Sequence, residues 1–516
     1  MWSSDDVYRF KNDKKAKWTD FPRIYEAHIG IAQPYIGRTD KSVGTFEMFS
    51  KLLPRIKESG YTAVQLMGVL EHLLYKSFGY QVSSYFATSS RFGSPDDFKR
   101  LVDEAHRLGL SVILDIPHSH SVPNTEQGIA RYDTTSFLFA DKANQWGTIS
   151  FDFCKEMTRR FLLSNCRYWM EEYHIDGFRF DAVGNMIYLD NGINDSFSDV
   201  NSCFYSSNGS SRIDEAGVLY LELANELIHS MGGVSIAEEF SGMPGMTSRA
   251  CEGGLAFDYR LAMGIPDFWG KFIKKGRTSS DIWYEMTNRR GYERTISYVA
   301  CHDQSINGHD AMIWRLIGDD MYEYMSHLQT SWKASRGIAL YKMMRLVTLG
   351  TADAGYLSFM GDEFGHPEWI DADGYGHRQW HLTARNDIKY GNLWAFDKAS
   401  LVDLLAKHAD SFREKPYMRY VHDEYRILAF ERGRLLFVFN FNETEAVENL
   451  SLWVTPGKYV EMLSSDSKLF AGNGNLEISN PQMEHFSQTD DSNSDKSVER
   501  ISLYLPPLVV LVMLRS

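Results

Sequence analysis

Gly177-Phe178-Arg179-Phe180-Asp181 decides how the chain is read. A glycine, two phenylalanines and an arginine running into an acid read as a short buried strand that ends in a carboxylate. Residues i and i+2 of a strand share a face, so Arg179 and Asp181 point the same way. Apolar neighbours favour protonating the acid, and a guanidinium two residues back keeps it ionised. An ionised carboxylate held by an arginine at a strand end is equipped to act as a nucleophile. The plain alternative is a structural salt bridge.

Outward from this stretch, strands alternate with helices. A helix over residues 158–173 leads into Gly177, and another over 214–231 leads into Val234-Ser235-Ile236-Ala237-Glu238. Further upstream, Ser94 is a helix N-cap with Pro95 at the first helical position, where its missing N–H costs nothing. Phe98, Leu101, Val102, Ala105 and Leu108 form one apolar stripe, and Gly109 ends the helix. The strand 112–114 follows at once. Residues 23–28 and 63–67 are earlier strands; 297–301 and 356–360 are later ones, the last preceded by a helix near 335–349. This alternation predicts an α/β fold with a parallel sheet, and about eight strands suit a (β/α)₈ TIM barrel with loop insertions. A doubly wound open sheet is the alternative. No Gly-rich phosphate loop follows any strand, which weighs against nucleotide-binding versions.

From about Ser411 the pattern changes. Apolar runs at 425–430 and 435–441 flank Glu431-Arg432-Gly433-Arg434, a hairpin signal, and 459–463, 502–505 and 509–514 are further strands. The expected organisation is a linker at 1–22, the barrel at 23–410 and an all-β C-terminal sandwich at 411–516. Residues 489–495 resemble part of a calcium loop but lack its glycine and closing glutamate, and read as a solvated loop.

The 516 residues carry 54 basic and 68 acidic side chains, a net charge of −14. That excludes nucleic acid or an anionic membrane as the main partner. The five cysteines are scattered, with no CxxC pair, which points to reduced thiols and indicates neither a zinc site nor a disulfide framework. The first residues lack a signal-peptide pattern and no 18-residue apolar run occurs.

Four strands share one design, an apolar run closed by a polar group: Val112-Ile113-Leu114-Asp115, Gly177 to Asp181, Val234 to Glu238, and Tyr298-Val299-Ala300-Cys301-His302-Asp303. In a parallel barrel these ends converge on one rim, where such enzymes keep their active sites. Carboxylates crowded on a rim repel each other, which favours catalysis over stability as their purpose. Paired acids there suggest glycosidic chemistry: one ionised to attack the anomeric carbon, the other protonated to release the departing oxygen. The neighbouring arginine makes Asp181 the ionised one. The apolar approach of Ile236 and Ala237 makes Glu238 the acid/base, and Asp303 beside His302 suits charge stabilisation.

In order along the chain, Asp115-Ile116-Pro117-His118-Ser119-His120, Gly177 to Asp181, Glu238, and His302-Asp303 resemble the four signature regions of glycoside hydrolase family 13, the α-amylase family. Further stretches resemble the 1,4-α-glucan branching enzymes of eukaryotic type within it: 78–82, 90–95, 236–244, 257–263, 287–290 and 360–369. The resemblance implies Asp181 as nucleophile, Glu238 as acid/base and Asp303 as transition-state stabiliser. It implies that Arg179 orients the nucleophile, that His120 and His302 bind hydroxyls of the sugar at the cleavage point, that Tyr80 stacks beneath that ring, and that Asp115 supports the site; His118 is left as structural. The implied reaction cuts an α-1,4-glucan and passes the fragment to a 6-hydroxyl. An α-amylase-like hydrolase and a non-catalytic glucan-binding protein are the alternatives. The expected protein is a cytoplasmic monomer acting on α-1,4-glucan as donor and acceptor, with no metal and no cofactor.

Three departures stand out. Glu239 replaces the usual aspartate, Ala300-Cys301 replaces the usual glutamate and serine, and Asn307-Gly308-His309-Asp310 replaces a stretch that usually carries Gly-Asp-Lys. Residues 1–22 resemble only the linker that follows the family's N-terminal carbohydrate-binding module, so a weaker grip on long glucans is expected.

Overall fold

The computed structural model describes residues 8–516 except 13–17, 33–42, 125, 131–134, 145, 193–196, 198, 306–309, 367–379, 477–483 and 491–497. Eight parallel strands close into a barrel: β1 (Arg23–His28), β2 (Ala63–Met67), β3 (Ser111–Ile116), β4 (Gly177–Phe180), β5 (Val234–Ala237), β6 (Tyr259–Leu261), β7 (Thr295–Ser297) and β8 (Gly355–Phe359). They follow one another around the ring in chain order, and β8 pairs with β1 to complete it. Both faces of these strands are covered, which is why they read as near-continuous apolar runs. Ile24, Ala63, Ile113, Ile236, Ile296 and Leu357 pack in the barrel interior. Their alternates, among them Tyr25, Val64, Val112 and Phe178, join the larger core against the helices.

Two barrel strands differ from expectation. β7 runs from Thr295 to Ser297, not over 297–301; Tyr298 to Cys301 continue past it as a buried segment above the barrel. An apolar run marks burial and does not mark strand pairing. The sequence also left β6 unnamed, because its three residues carry a mid-strand arginine and offer no alternating pattern long enough to read.

Four helices fall where periodicity and caps put them: α1 (Pro95–Arg107), α2 (Glu156–Glu172), α3 (Glu215–Ser230) and α4 (Trp332–Thr351). A further helix, α5 (Tyr390–Lys398), is not read from the sequence. Ser94 caps α1 in a reciprocal box: its hydroxyl accepts from the Asp97 N–H at 3.2 Å and the Asp97 carboxylate accepts from the Ser94 N–H at 2.8 Å. Gly177 begins β4 because the chains are too close there for a side chain; a Cβ would lie 2.1 Å from the Val234 carbonyl oxygen. Among the described residues no helix is long and apolar enough to cross a membrane.

The C-terminal region is a sandwich. One sheet runs in the order β9 (Tyr417–His422), β10 (Ile427–Arg432), β11 (Leu435–Asn440), β17 (Val509–Arg515), β13 (Lys458–Ser464), β14 (Glu484–Phe486). The other is β12 (Val447–Trp453), β16 (Val498–Leu505), β15 (Gln488–Asp490). Period-two alternation serves both faces of the first sheet: Ile427, Ala429, Leu436 and Val438 meet the second sheet, while Leu428, Phe430, Phe437 and Phe439 face the barrel. Arg432 fastens the junction by donating to the carbonyls of Gly350, Ala352 and Phe412. The segment expected as a linker also touches the barrel where it is described. The Asp103 carboxylate on α1 accepts from Tyr8 and Asn12, and Trp18 Nε1 donates to the Tyr259 hydroxyl at 2.9 Å. Of the calcium-like stretch, 491–495 lie outside the described residues.

Candidate active site

Strand parity carries polar groups to the top of the barrel interior. Ile24, Ala63 and Ile113 face inward, so two residues on, Glu26, Gln65 and Asp115 do as well. Register places Arg179 of β4 opposite Asp115 of β3 and Ile236 of β5. Its guanidinium is fully enclosed and meets three carboxylates. Nη1 lies 2.7 Å from Asp115 Oδ1 and 2.9 Å from Asp181 Oδ1, and Nη2 lies 2.8 Å from Glu238 Oε1. Glu238 Oε2 also accepts from the Ala182 N–H at 2.8 Å. The arginine assigned to Asp181 on the sequence therefore serves Glu238 equally, and pairing with it does not by itself separate nucleophile from acid.

Burial pushes the Asp181 carboxyl well above the usual range, opposed by Arg179 and reinforced by Glu238. Glu238 is also raised, first by burial, then by Asp303, with Arg179 again opposing. One cation facing three buried carboxylates cannot hold all of them ionised, so Asp181 and Glu238 compete for the charged state. A nucleophile and an acid/base pair need one carboxyl ionised and the other protonated, and burial, which raises both, does not choose between them.

Tyr80 reaches this network from the loop after β2. Gly68 and Gly79 pass so closely that a Cβ on Gly79 would lie 2.3 Å from the Gly68 Cα, and this contact sets the loop's path. The Tyr80 hydroxyl donates to Asp115 Oδ2 at 2.8 Å and lies 2.8 Å from His302 Nε2 and 3.2 Å from Arg179 Nη1. His302 is fixed on its other side by Glu26, whose carboxylate takes Nδ1 and the backbone N–H at 2.9 Å each. Burial opposes charge on this ring, but Asp303 and Glu26 outweigh it and raise His302 to about 10. Tyr80 Oη has given its hydrogen to Asp115, so it accepts from the protonated Nε2.

His120 behaves differently. Burial pushes it down to about 4. Its Nε2 donates to the Tyr80 carbonyl at 3.0 Å and its Nδ1 lies 2.8 Å from the Ser119 hydroxyl, so both ring nitrogens are engaged by protein. His118, bonded to Tyr220 and Asn165, sits in the core away from the cleft.

A cleft of about 660 Å³ opens above these groups, lined among others by Tyr80, His120, Asp181, Glu238, His302 and Asp303, with Asp115 and Arg179 beneath its floor. All eight sequence candidates thus belong to one site. Sequence reasoning missed three contributors. Glu26 anchors His302, and the acid inside an otherwise apolar strand was its signal. Trp146 stands 5.2 Å from His120, ring to ring, and Phe240 lines the cleft with Glu238; both are large exposed aromatics. Aromatic faces of this kind suit sugar rings.

The departures acquire physical content. Glu239 is buried, and its carboxylate accepts from the Ser241 N–H at 2.6 Å, the Gly242 N–H at 3.2 Å and Arg260 Nη2 at 2.7 Å. It clamps the turn that presents Phe240. Cys301 is buried with Sγ 3.6 Å from Asp303 Oδ2. Residues 307–309 and 367–369 lie outside the described residues.

Comparison with known proteins extends these observations. Residues 8–133 match the family model described as the alpha amylase catalytic domain, and residues 418–516 match the alpha amylase C-terminal all-beta domain. A 1,4-alpha-glucan-branching enzyme of Rhizophagus irregularis is 38% identical, aligned over 99% of this chain and 76% of its own length. Its counterpart in Equus caballus is 37% identical over 99% and 74%, and that of Solanum tuberosum 40% over 90% and 56%. In fold, the chain is similar to the α-amylase of Geobacillus thermoleovorans complexed with acarbose, with a TM-score of 0.66 at 16% identity, covering 96% of this chain and 98% of that one.

Proposed function

The chain belongs to the 1,4-α-glucan-branching enzymes of the α-amylase family, and we propose that it performs their reaction by a retaining double displacement on Asp181 and Glu238. The Asp181 carboxylate attacks C1 of a glucosyl unit in an α-1,4-glucan while Glu238 gives its proton to the departing O4. Glu238 then takes the proton of a 6-hydroxyl on an acceptor chain. O6 attacks C1, the ester to Asp181 breaks, and an α-1,6 branch remains. Asp303 and the protonated His302 border the reacting ring, the Asp303 carboxylate stabilising the positive charge that develops on it. Arg179 orients Asp181, Asp115 supports Arg179 and Tyr80, and the Tyr80 ring stacks under the sugar. His120 binds a hydroxyl by giving up its bond to Ser119 or to the Tyr80 carbonyl.

The observation that carries this reading is the single guanidinium bridging Asp181 and Glu238 on the cleft floor. It ties both carboxyls to one group, as the nucleophile and acid/base of a retaining glycosidase require, a reaction that calls for a separation of about 5–5.5 Å. Incubation with amylose tests it: new α-1,6 linkages appear without a matching rise in reducing ends. Reducing ends alone would make the protein an α-amylase-like hydrolase, and neither product a glucan-binding protein.

The same reading divides the chain into a linker at 1–22, a barrel at 23–410 and a sandwich at 411–516. It makes the protein a cytoplasmic monomer, a compartment where five unpaired cysteines stay reduced, with α-glucan as its partner and neither nucleic acid nor membrane.

A further inference from the structure

Glu26, Cys301 and His302 bring three metal-ligand side chains together beneath Asp303. A carboxylate oxygen of Glu26, Sγ of Cys301 and a ring nitrogen of His302 all lie within 4.8 Å of one another, and all three residues are buried. Asp303 lies on the cleft side of this group, with Oδ2 3.6 Å from Cys301 Sγ and Oδ1 3.4 Å from His302 Nε2. The Glu26–His302 pair is complete without a metal, since an acid holding a protonated ring satisfies both. The Cys301 thiol likewise donates to Asp303 Oδ2 at 3.6 Å, so what points to a metal is the meeting of three different ligand types, a thiol set beside an acid–imidazole pair where a thiophilic cation takes the place of the thiol and ring protons. Thiolate, imidazole and carboxylate together are the donor set of zinc and similar borderline-soft cations. Hard cations such as calcium prefer all-oxygen sites.

We propose that Glu26, Cys301 and His302 form an inhibitory site for a thiophilic divalent cation of the zinc type, entered from the catalytic cleft and closed by Asp303. Binding forms bonds from the cation to Cys301 Sγ, His302 Nδ1 and a Glu26 oxygen. It breaks the Nδ1–H···Glu26 hydrogen bond, and the thiol proton and the Nδ1 proton leave to solvent; nothing is oxidised or reduced. Zinc bonds of about 2.0–2.3 Å require the three atoms to draw together, which a small rotation of Cys301 and Glu26 supplies. The bound cation cancels the negative charge of Asp303 where the proposed reaction needs it and turns His302 away from the sugar position. Glucan turnover therefore stops while the fold stays intact. No CxxC pattern announces the site, because Glu26 and Cys301 meet only when the barrel closes.

The test uses the full chain with exposed Cys154 and Cys251 changed to serine, so that thiols outside the site do not bind. Cadmium, a zinc analogue whose thiolate bond absorbs in the ultraviolet, reads binding without turnover; failure of the site and failure of the branching reading are therefore distinguishable. The expected result is a saturable cadmium–thiolate band and inhibition of glucan turnover by zinc, both lost in Cys301→Ser. Cys301→Ala replaces it should the serine variant not fold. Glu26→Gln, which keeps the thiol, weakens the band. The proposal is overturned if no band forms, if the band survives Cys301→Ser, or if zinc inhibits both proteins alike.

Discussion

Arg179 and Arg345 are both buried and both paired with carboxylates, yet they stand in opposite situations. Arg345 on α4 meets one acid, Asp397 on α5, with Nε 3.1 Å from Oδ1. The other oxygen of Asp397 accepts from the Tyr61 hydroxyl at 3.0 Å, and Nη2 also donates to the Ser358 hydroxyl at 3.2 Å. Charges are matched, both acceptor oxygens are used, and neither residue lines the catalytic cleft. Arg179 faces Asp115, Asp181 and Glu238 at once, and the cleft opens over two of them. Burial and pairing are common to the two centres. An excess of carboxylate over cation at an open cleft belongs to one alone, and it separates a reacting site from a structural bridge.

Neutralising one acid in each centre breaks the likeness most sharply. Asp181→Asn should cut turnover on amylose by on the order of 10⁴-fold or more, the scale of losing a covalent nucleophile. Its melting temperature should hold or rise, because one competitor for a crowded guanidinium is gone. Asp397→Asn should do the reverse. It leaves Arg345 an uncompensated buried charge and costs about 3–5 kcal/mol of folding stability, with turnover per folded molecule unchanged. Calorimetry beside the linkage assay on both variants decides; equal melting losses would erase the distinction.

A smaller effect depends on pH. His302 is raised from 6.5 to about 10, so the folded protein holds its proton more tightly than the unfolded chain. The stability this contributes is fully present below about pH 6.5 and is lost as pH rises through about 10. Lys342 works against it. It is buried at the barrel–sandwich junction and lowered from 10.5 to about 7, so its contribution grows with pH over much of the same range. Thermal melts of wild type and His302→Gln from pH 6 to pH 10 isolate the histidine: the stability gap between them should narrow as pH rises. A constant gap would show that His302 carries no extra charge in the folded state.

Legibility of these features in the sequence follows their locality. Ser94 and Gly109 bracket α1 through contacts a few residues long, and the period-two runs of the sandwich encode their own faces. Asp115, Asp181 and Glu238 were legible because each closes an apolar run, so strand parity alone delivers them to one rim. β6 and β7 were not. A three-residue strand has too little pattern, and its place is set by the strands on either side.

Local pattern in the chain set the order of the barrel strands and helices apart from β6 and α5, the acids at the strand ends and, through the signature stretches, the family. Tertiary structure alone decided that Arg179 is shared between Asp181 and Glu238, that Glu26 anchors a histidine 276 residues away, and that Cys301 joins them. The reason is closure of the barrel. Pairing β8 with β1 brings the two ends of the barrel's strand series side by side, and no local pattern in the chain records which side chains then meet across its axis.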